Sequence, residues 1–305
     1  MKPNEAAFEE YVATWLVEHG GYDHLKRPGE VQPRAFDPAT GIDTEDLFEF
    51  IGATQADAWD RLKDLHGGLP GAQTKFVARL AGEIDKRGTL DVLRHGVVDH
   101  GVTIRLAYFR PAHGLTPELV RLYEANRLNV TRQLAYQTGS TRTIDLGLFV
   151  NGLLVATAEL KNALTGQSVE DAINQYRTDR DPNAPALSRR ALVHFAVDTE
   201  RVAMTTRLAG DATRFLPFNL GSGGGAGNPA NPNGHRTAYL WERIWQRDAW
   251  LDLLARFVHV EQPAKGSKAA PRVIFPRLHQ WDAVLALESD TRARGAGQKY
   301  LVQHS

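Results

Sequence analysis

One dipeptide limits what this chain can fold into more than any other feature. Asn151-Gly152 stands between two apolar runs, TIDLGLFV before it and LLVATAEL after it. Asn-Gly in that setting is a strong β-hairpin signal, because tight hairpin turns need residues that tolerate φ > 0. The other elements have to be arranged around this hairpin.

The hairpin also carries charge in unusual places. Asp145 sits early in the first run, and the second run ends in Glu159-Leu160-Lys161. Residues two apart on a strand share a face, so Glu159 and Lys161 project together. Unpaired charge is costly to bury, so acids inside such apolar runs need a ligand or a partner. Two carboxylates suit Mg²⁺, a hard cation that prefers oxygen ligands. Such an ion activates water and offsets charge on a phosphate, while a lysine beside it steadies the transition state. The pattern points to phosphodiester hydrolysis. A cross-strand acid–base pair on a solvated face fits the same three residues.

Register separates the two readings. A plain two-residue turn pairs Val150 with Leu153 and sets Asp145 opposite Ala158, on the other side from Glu159. A three-residue loop pairs Val150 with Leu154 and sets Asp145 opposite Glu159. A metal site here therefore requires an odd-length turn or a bulge, with Gly152 at φ > 0.

Composition narrows the setting. With 36 basic and 36 acidic residues in 305, net charge is zero, so any nucleic-acid surface is local. Arg177, Arg180, Arg189, Arg190, Arg207 and Arg214 follow the acidic motif and are candidates; a solvated arginine face is the plainer reading of each. Cysteine is absent, which removes disulfides and thiolate metal sites. No apolar run reaches membrane-spanning length, and the start, MKPNEAAFEE, lacks a signal-peptide core. A cytoplasmic protein with no membrane contact is expected.

The remaining pattern predicts helices over 4–19, 44–50, 57–66, 75–86 and 89–95, and a loop over 22–42. The helical stretch before the sheet shows no chemistry, and His66, His95, His100 and His113 share no metal-ligand spacing. Strands are expected at 102–109, 130–136, 192–197 and 202–205. Ser168 and Asp171 make a box-like cap for a helix carrying Gln175 and Tyr176. The glycine-rich 221–234 is a loop without the Gly-Lys-Ser/Thr of a P-loop. Helical spacing of Trp241, Ile244, Trp245, Leu251, Leu254 and Phe257 marks core, and 261–271 reads as a linker.

The segment resembles the PD-(D/E)xK nuclease core, with Ile144-Asp145 in place of Pro-Asp and Glu159-Leu160-Lys161 intact. NRLNVTRQLAYQ, AINQYRTDR, LVHFAVDTERVAMTT, FLPFNLG, AYLWERIW and IFPRLHQWDAV extend the resemblance to the N-terminal part of the R subunit of type I restriction enzymes. It implies an α/β fold, a mixed central sheet flanked by helices, with helical additions. An endonuclease domain would span 1–260 with its core at about 102–215, followed by the linker 261–271. Residues 272–305 would begin a helicase-like motor, cut short before its P-loop, so that ATP serves only the full-length subunit. The activity implied is that of a type I site-specific deoxyribonuclease on double-stranded DNA, with Mg²⁺ as cofactor and methyltransferase and specificity subunits as partners. Asp145, Glu159 and the Leu160 carbonyl would hold the metal, with Lys161, Gln175 and Tyr176 completing the catalytic set. Glu5, preferred to Glu9, is a possible additional acid from the first helix. Arg132, Arg177 and Arg180 would contact DNA, and Arg277 and Gln280 an adenine. Another nuclease on the same core, for repair or modified DNA, and a non-catalytic docking module are the alternatives.

Overall fold

The computed structural model describes residues 3–26, 36–223, 225–264 and 271–303. Helix α1 (Pro3–Glu18) buries Phe8, Val12 and Leu16, as their spacing predicts. The stretch expected as a loop instead contributes short strands β1 (His24–Lys26), β2 (Phe36–Asp37) and β3 (Ile42–Asp43). Asp43 then caps α2 (Thr44–Thr54) by accepting from the Glu45 and Asp46 N–H groups. Helices α3 (Ala56–His66), α4 (Leu69–Arg87) and α5 (Thr89–His95) complete the helical part.

A hairpin of β4 (Val97–Asp99) and β5 (Val102–Ile104) follows, in a small sheet of its own. The alternation over 102–109 thus yields only three strand residues. Side-chain amides have taken the backbone groups that a neighbouring strand would need. Gln55 accepts from the Arg105 N–H at 2.7 Å and donates to its carbonyl at 3.0 Å. Asn126 does the same for Tyr108, at 3.1 and 2.6 Å. At the same hairpin His66 and His100 meet across Asp99, against the expectation that the histidines share no site.

Beyond α6 (Pro117–Glu124) come β6 (Leu128–Leu134), β7 (Ile144–Val150) and β8 (Leu153–Leu160). Helix α7 (Val169–Asn174) has the expected Ser168–Asp171 capping box and runs on as a wide turn over Gln175–Asp179. Strands β9 (Val193–Val197), β10 (Val202–Thr205) and β11 (Leu216–Pro217) follow. The main sheet runs β1-β6-β7-β8-β9-β10-β11, with β2 and β3 attached beside β8. Its β1–β6 and β8–β9 pairs are parallel and the other ladders antiparallel. This is the expected mixed sheet flanked by helices.

Apolar clusters cover both faces of the sheet, the smallest being Val169, Ala172, Ala196 and Ala203. Of the other two, the larger joins α1, the helical part and Trp241, Trp245 and Trp250 to Leu146, Leu148, Ala156 and Ala158. The smaller gathers Leu134, Tyr136, Phe149, Leu154, Tyr176 and Leu187 on the other side.

Of the expected linker 261–271, residues 265–270 lie outside the described residues. After α8 (Arg247–Asp252), β12 (His259–Glu261) pairs antiparallel with β13 (Arg272–Ile274). Helix α9 (Leu278–Arg294) follows. Phe275, Leu278 and Trp281 are buried in the larger core, and Phe275 meets the rings of Phe195, Phe218 and Trp250.

Candidate active site

The hairpin solves its register problem in two steps. Val150 pairs with Leu153 and Phe149 with Leu154, so the turn is the tight two-residue kind. Asn151 and Gly152 have φ of 50° and 80°, as such a turn demands. Beyond it the register shifts. Leu148 pairs with Ala156 and leaves Val155 as the extra residue of a β-bulge. The next partners are Gly147–Thr157 and Leu146–Ala158, so one further step sets Asp145 beside Glu159.

The bulge also changes which residues face which core. Before it, Leu153 and Val155 belong to the larger core and Leu154 to the smaller; after it, Ala156, Ala158 and Leu160 belong to the larger. Thr157, Glu159 and Lys161 are thereby delivered to the side that holds Leu154. A regular strand would have turned Glu159 the other way.

Asp145 accepts from the Leu160 N–H at 2.8 Å, which locks its carboxylate against the strand that bears Glu159. Glu159 is fully buried. Its Oε1 accepts from Arg180 Nε at 2.6 Å, while its Oε2 is buried with no hydrogen-bond partner. Burial holds both acids above the ordinary carboxylate range, and the Asp145 charge pushes Glu159 higher still. Lys161 is buried beside them, and its charge opposes both shifts.

A third acid, Glu9, arrives from α1. The Glu5 side chain lies outside the described residues. Glu9 is buried, accepts from Arg132 Nε at 2.6 Å and from Gln133 Nε2 at 2.6 Å, and is raised by burial. Gln133 also donates to Asp145 Oδ1 at 3.3 Å, so one amide bridges two acids. Gln133 reaches both because its φ is +51°, a break in β6 opposite Asp145. The sequence carries no signal for that break.

The arginines expected to contact DNA have partners within the domain. Arg132 and Arg180 are buried and ion-paired with Glu9 and Glu159. Arg177 donates to the Thr213 carbonyl at 2.9 Å. Their positions serve the acids and a loop before any phosphate. Arg207 and Arg214 are exposed. Arg277 and Gln280 are exposed at the start of α9, where Gln280 accepts from the Arg277 N–H.

Gln175 and Tyr176 part company. Gln175 is half-buried at the end of α7. Tyr176 is fully buried, and its hydroxyl lies 2.8 Å from Thr157 Oγ1, two residues before Glu159. Thr157 in turn meets His194 Nδ1 at 2.7 Å. Burial raises Tyr176 far above the usual phenol range, with the Glu159 charge adding to it, and lowers His194 to about 4.

The arrangement defines a class: an α/β domain in which two or three acids and a lysine meet on one face of a mixed sheet, at a bulged hairpin. The chain belongs to the family described as the type I restriction enzyme R protein N terminus, whose model matches residues 2–213. No curated protein matches it closely enough to count as a relative.

Proposed function

We propose that this domain is the Mg²⁺-dependent DNA endonuclease of a type I restriction enzyme R subunit, acting with methyltransferase and specificity subunits on unmethylated foreign DNA. One observation carries the reading: a bulge at Val155 brings Asp145 level with Glu159 and leaves Glu159 Oε2 buried without a partner. A buried carboxylate oxygen with nothing to bind is unfavourable unless a ligand completes it. The donor set is all oxygen apart from the lysine, which suits Mg²⁺. Asp145, Glu159 and the Leu160 carbonyl would hold the ion, which would supply an activated water and offset phosphate charge.

The chain's own groups have assigned tasks in this proposal. The Leu160 N–H fixes Asp145. Lys161 orients the attacking water and balances the acids. Gln133 and Arg132 keep Glu9 close as a further acid. Tyr176 holds Thr157 and so the strand that carries Glu159, a positioning role; Gln175, less buried, is free to approach DNA. Arg277 and Gln280, exposed at the start of α9, would lie near the adenine of ATP.

Plasmid cleavage by the complete assembly tests this. Asp145→Ala or Lys161→Ala should abolish double-strand cutting, a loss of roughly a hundredfold or more, while DNA-stimulated ATP hydrolysis persists. Normal cutting by either variant rules the site out.

The Arg180–Glu159 ion pair favours a second reading, a non-catalytic docking module in which the acids are structural. Calorimetric Mg²⁺ titration with a short duplex separates the two: heat that disappears in Asp145→Ala supports the nuclease, and absence of binding supports docking.

A further inference from the structure

The helical part contains a second constellation. Helix α3 ends at His66, and Gly67 closes it in the left-handed region, at φ 81°. His66 Nε2 lies 2.8 Å from Asp99 Oδ2 at the end of β4. His100 follows in the turn, its Nε2 4.0 Å from Asp99 Oδ1. The two imidazole rings stand edge to face with centroids 4.8 Å apart. Ligand atoms of all three residues lie within 4.8 Å of one another.

A simple His66–Asp99 hydrogen bond accounts for two of these groups and leaves His100 unexplained. His100 occupies a two-residue turn with Gly101, at φ of 46° and 77°. Asn or Gly meets those angles at less cost. The turn instead holds a histidine whose ring lands against His66. The histidines are 5 % and 54 % exposed and Asp99 10 %, so the cluster is walled on one side and open at His100.

We propose that His66, Asp99 and His100 form a zinc site, with two imidazole nitrogens, one carboxylate oxygen and a fourth position open to water. Zinc takes these donors at about 2.0–2.2 Å, which spaces tetrahedral ligand atoms roughly 3.3 Å apart. That value falls within the observed spread, so small side-chain rotations complete the geometry. Nitrogen donors select against Mg²⁺ and Ca²⁺. The ion would replace the proton shared by His66 and Asp99 and tie the end of α3 to the β4–β5 hairpin.

Zinc titration by calorimetry on the full chain without an affinity tag tests the site, alongside thermal melts with and without zinc. One zinc per chain and a higher melting temperature are expected. His100→Asn suits the left-handed turn, so it should fold normally and weaken zinc binding by roughly tenfold or more. His95→Ala, an exposed histidine outside the cluster, and Asp145→Ala, at the hairpin, should leave zinc binding intact. The Asp145 control keeps this outcome separate from that of the nuclease proposal. No zinc binding by the folded chain, or binding that survives His100→Asn, would overturn the site.

Discussion

His194 makes the clearest demand on pH of any single residue. Burial lowers it from about 6.5 to about 4, and its Nδ1 faces Thr157. Between those values the unfolded chain takes up a proton that the folded chain refuses. Stability is therefore fully present above pH 6.5 and lost as pH falls towards 4, by about 3 kcal/mol at most. His194→Gln keeps a polar partner for Thr157 and should flatten that limb in denaturant melts across pH. The raised acids work in the opposite sense in both proteins, so the difference between variant and parent isolates the histidine. At this scale the sequence disclosed the residues and not their partners. Asp145, Glu159 and Lys161 were visible as charges inside apolar runs. Glu9 was visible only as the less favoured alternative to Glu5, because acids near a helix start are common on dipole grounds alone. Arg132 and Arg180 looked like surface arginines, since nothing local announces an ion pair formed with residues 123 and 21 positions away.

Among elements, the hairpin is where local chemistry and global geometry meet. Gly152 has φ 80°, and a Cβ there would lie 2.2 Å from the Asp43 carbonyl oxygen and 2.8 Å from the Leu47 nitrogen. Both obstacles are backbone, on the segment that enters α2. Gly152→Ala should therefore destabilise the domain by about 2 kcal/mol or more, measured by urea unfolding. An alanine variant of parental stability would show that α2 yields more easily than its packing suggests. The turn was legible because Asn-Gly has few other uses between apolar runs. The need for an irregularity was legible too, from the side on which Glu159 had to project. Its site at Val155 was not, since Leu153 to Ala156 are all apolar and all buried, and none of them is marked out from the others. The strand expected over 102–109 stopped at Ile104 for a different reason: its alternation was real, but Gln55 and Asn126 had already claimed the backbone at Arg105 and Tyr108.

At the level of the whole molecule, helix periodicity and capping residues marked most of the fold in advance, and the chain's last third was the least legible part. A polar connection suggests a boundary, whereas Phe275, Leu278 and Trp281 return to the core built by α1 and the sheet. Trp281 is 3 % exposed and stacks beneath Arg243 at 4.9 Å. Trp281→Ala should cost about 3–5 kcal/mol, seen as a lower unfolding midpoint. A loss below about 1 kcal/mol would mean that α9 contributes little to the fold. Phe275 touches Phe195 on β9, and β9 pairs directly with the strand that carries Glu159. Heating should consequently produce a single calorimetric peak, with tryptophan fluorescence and the protection of hairpin amides vanishing at the same temperature.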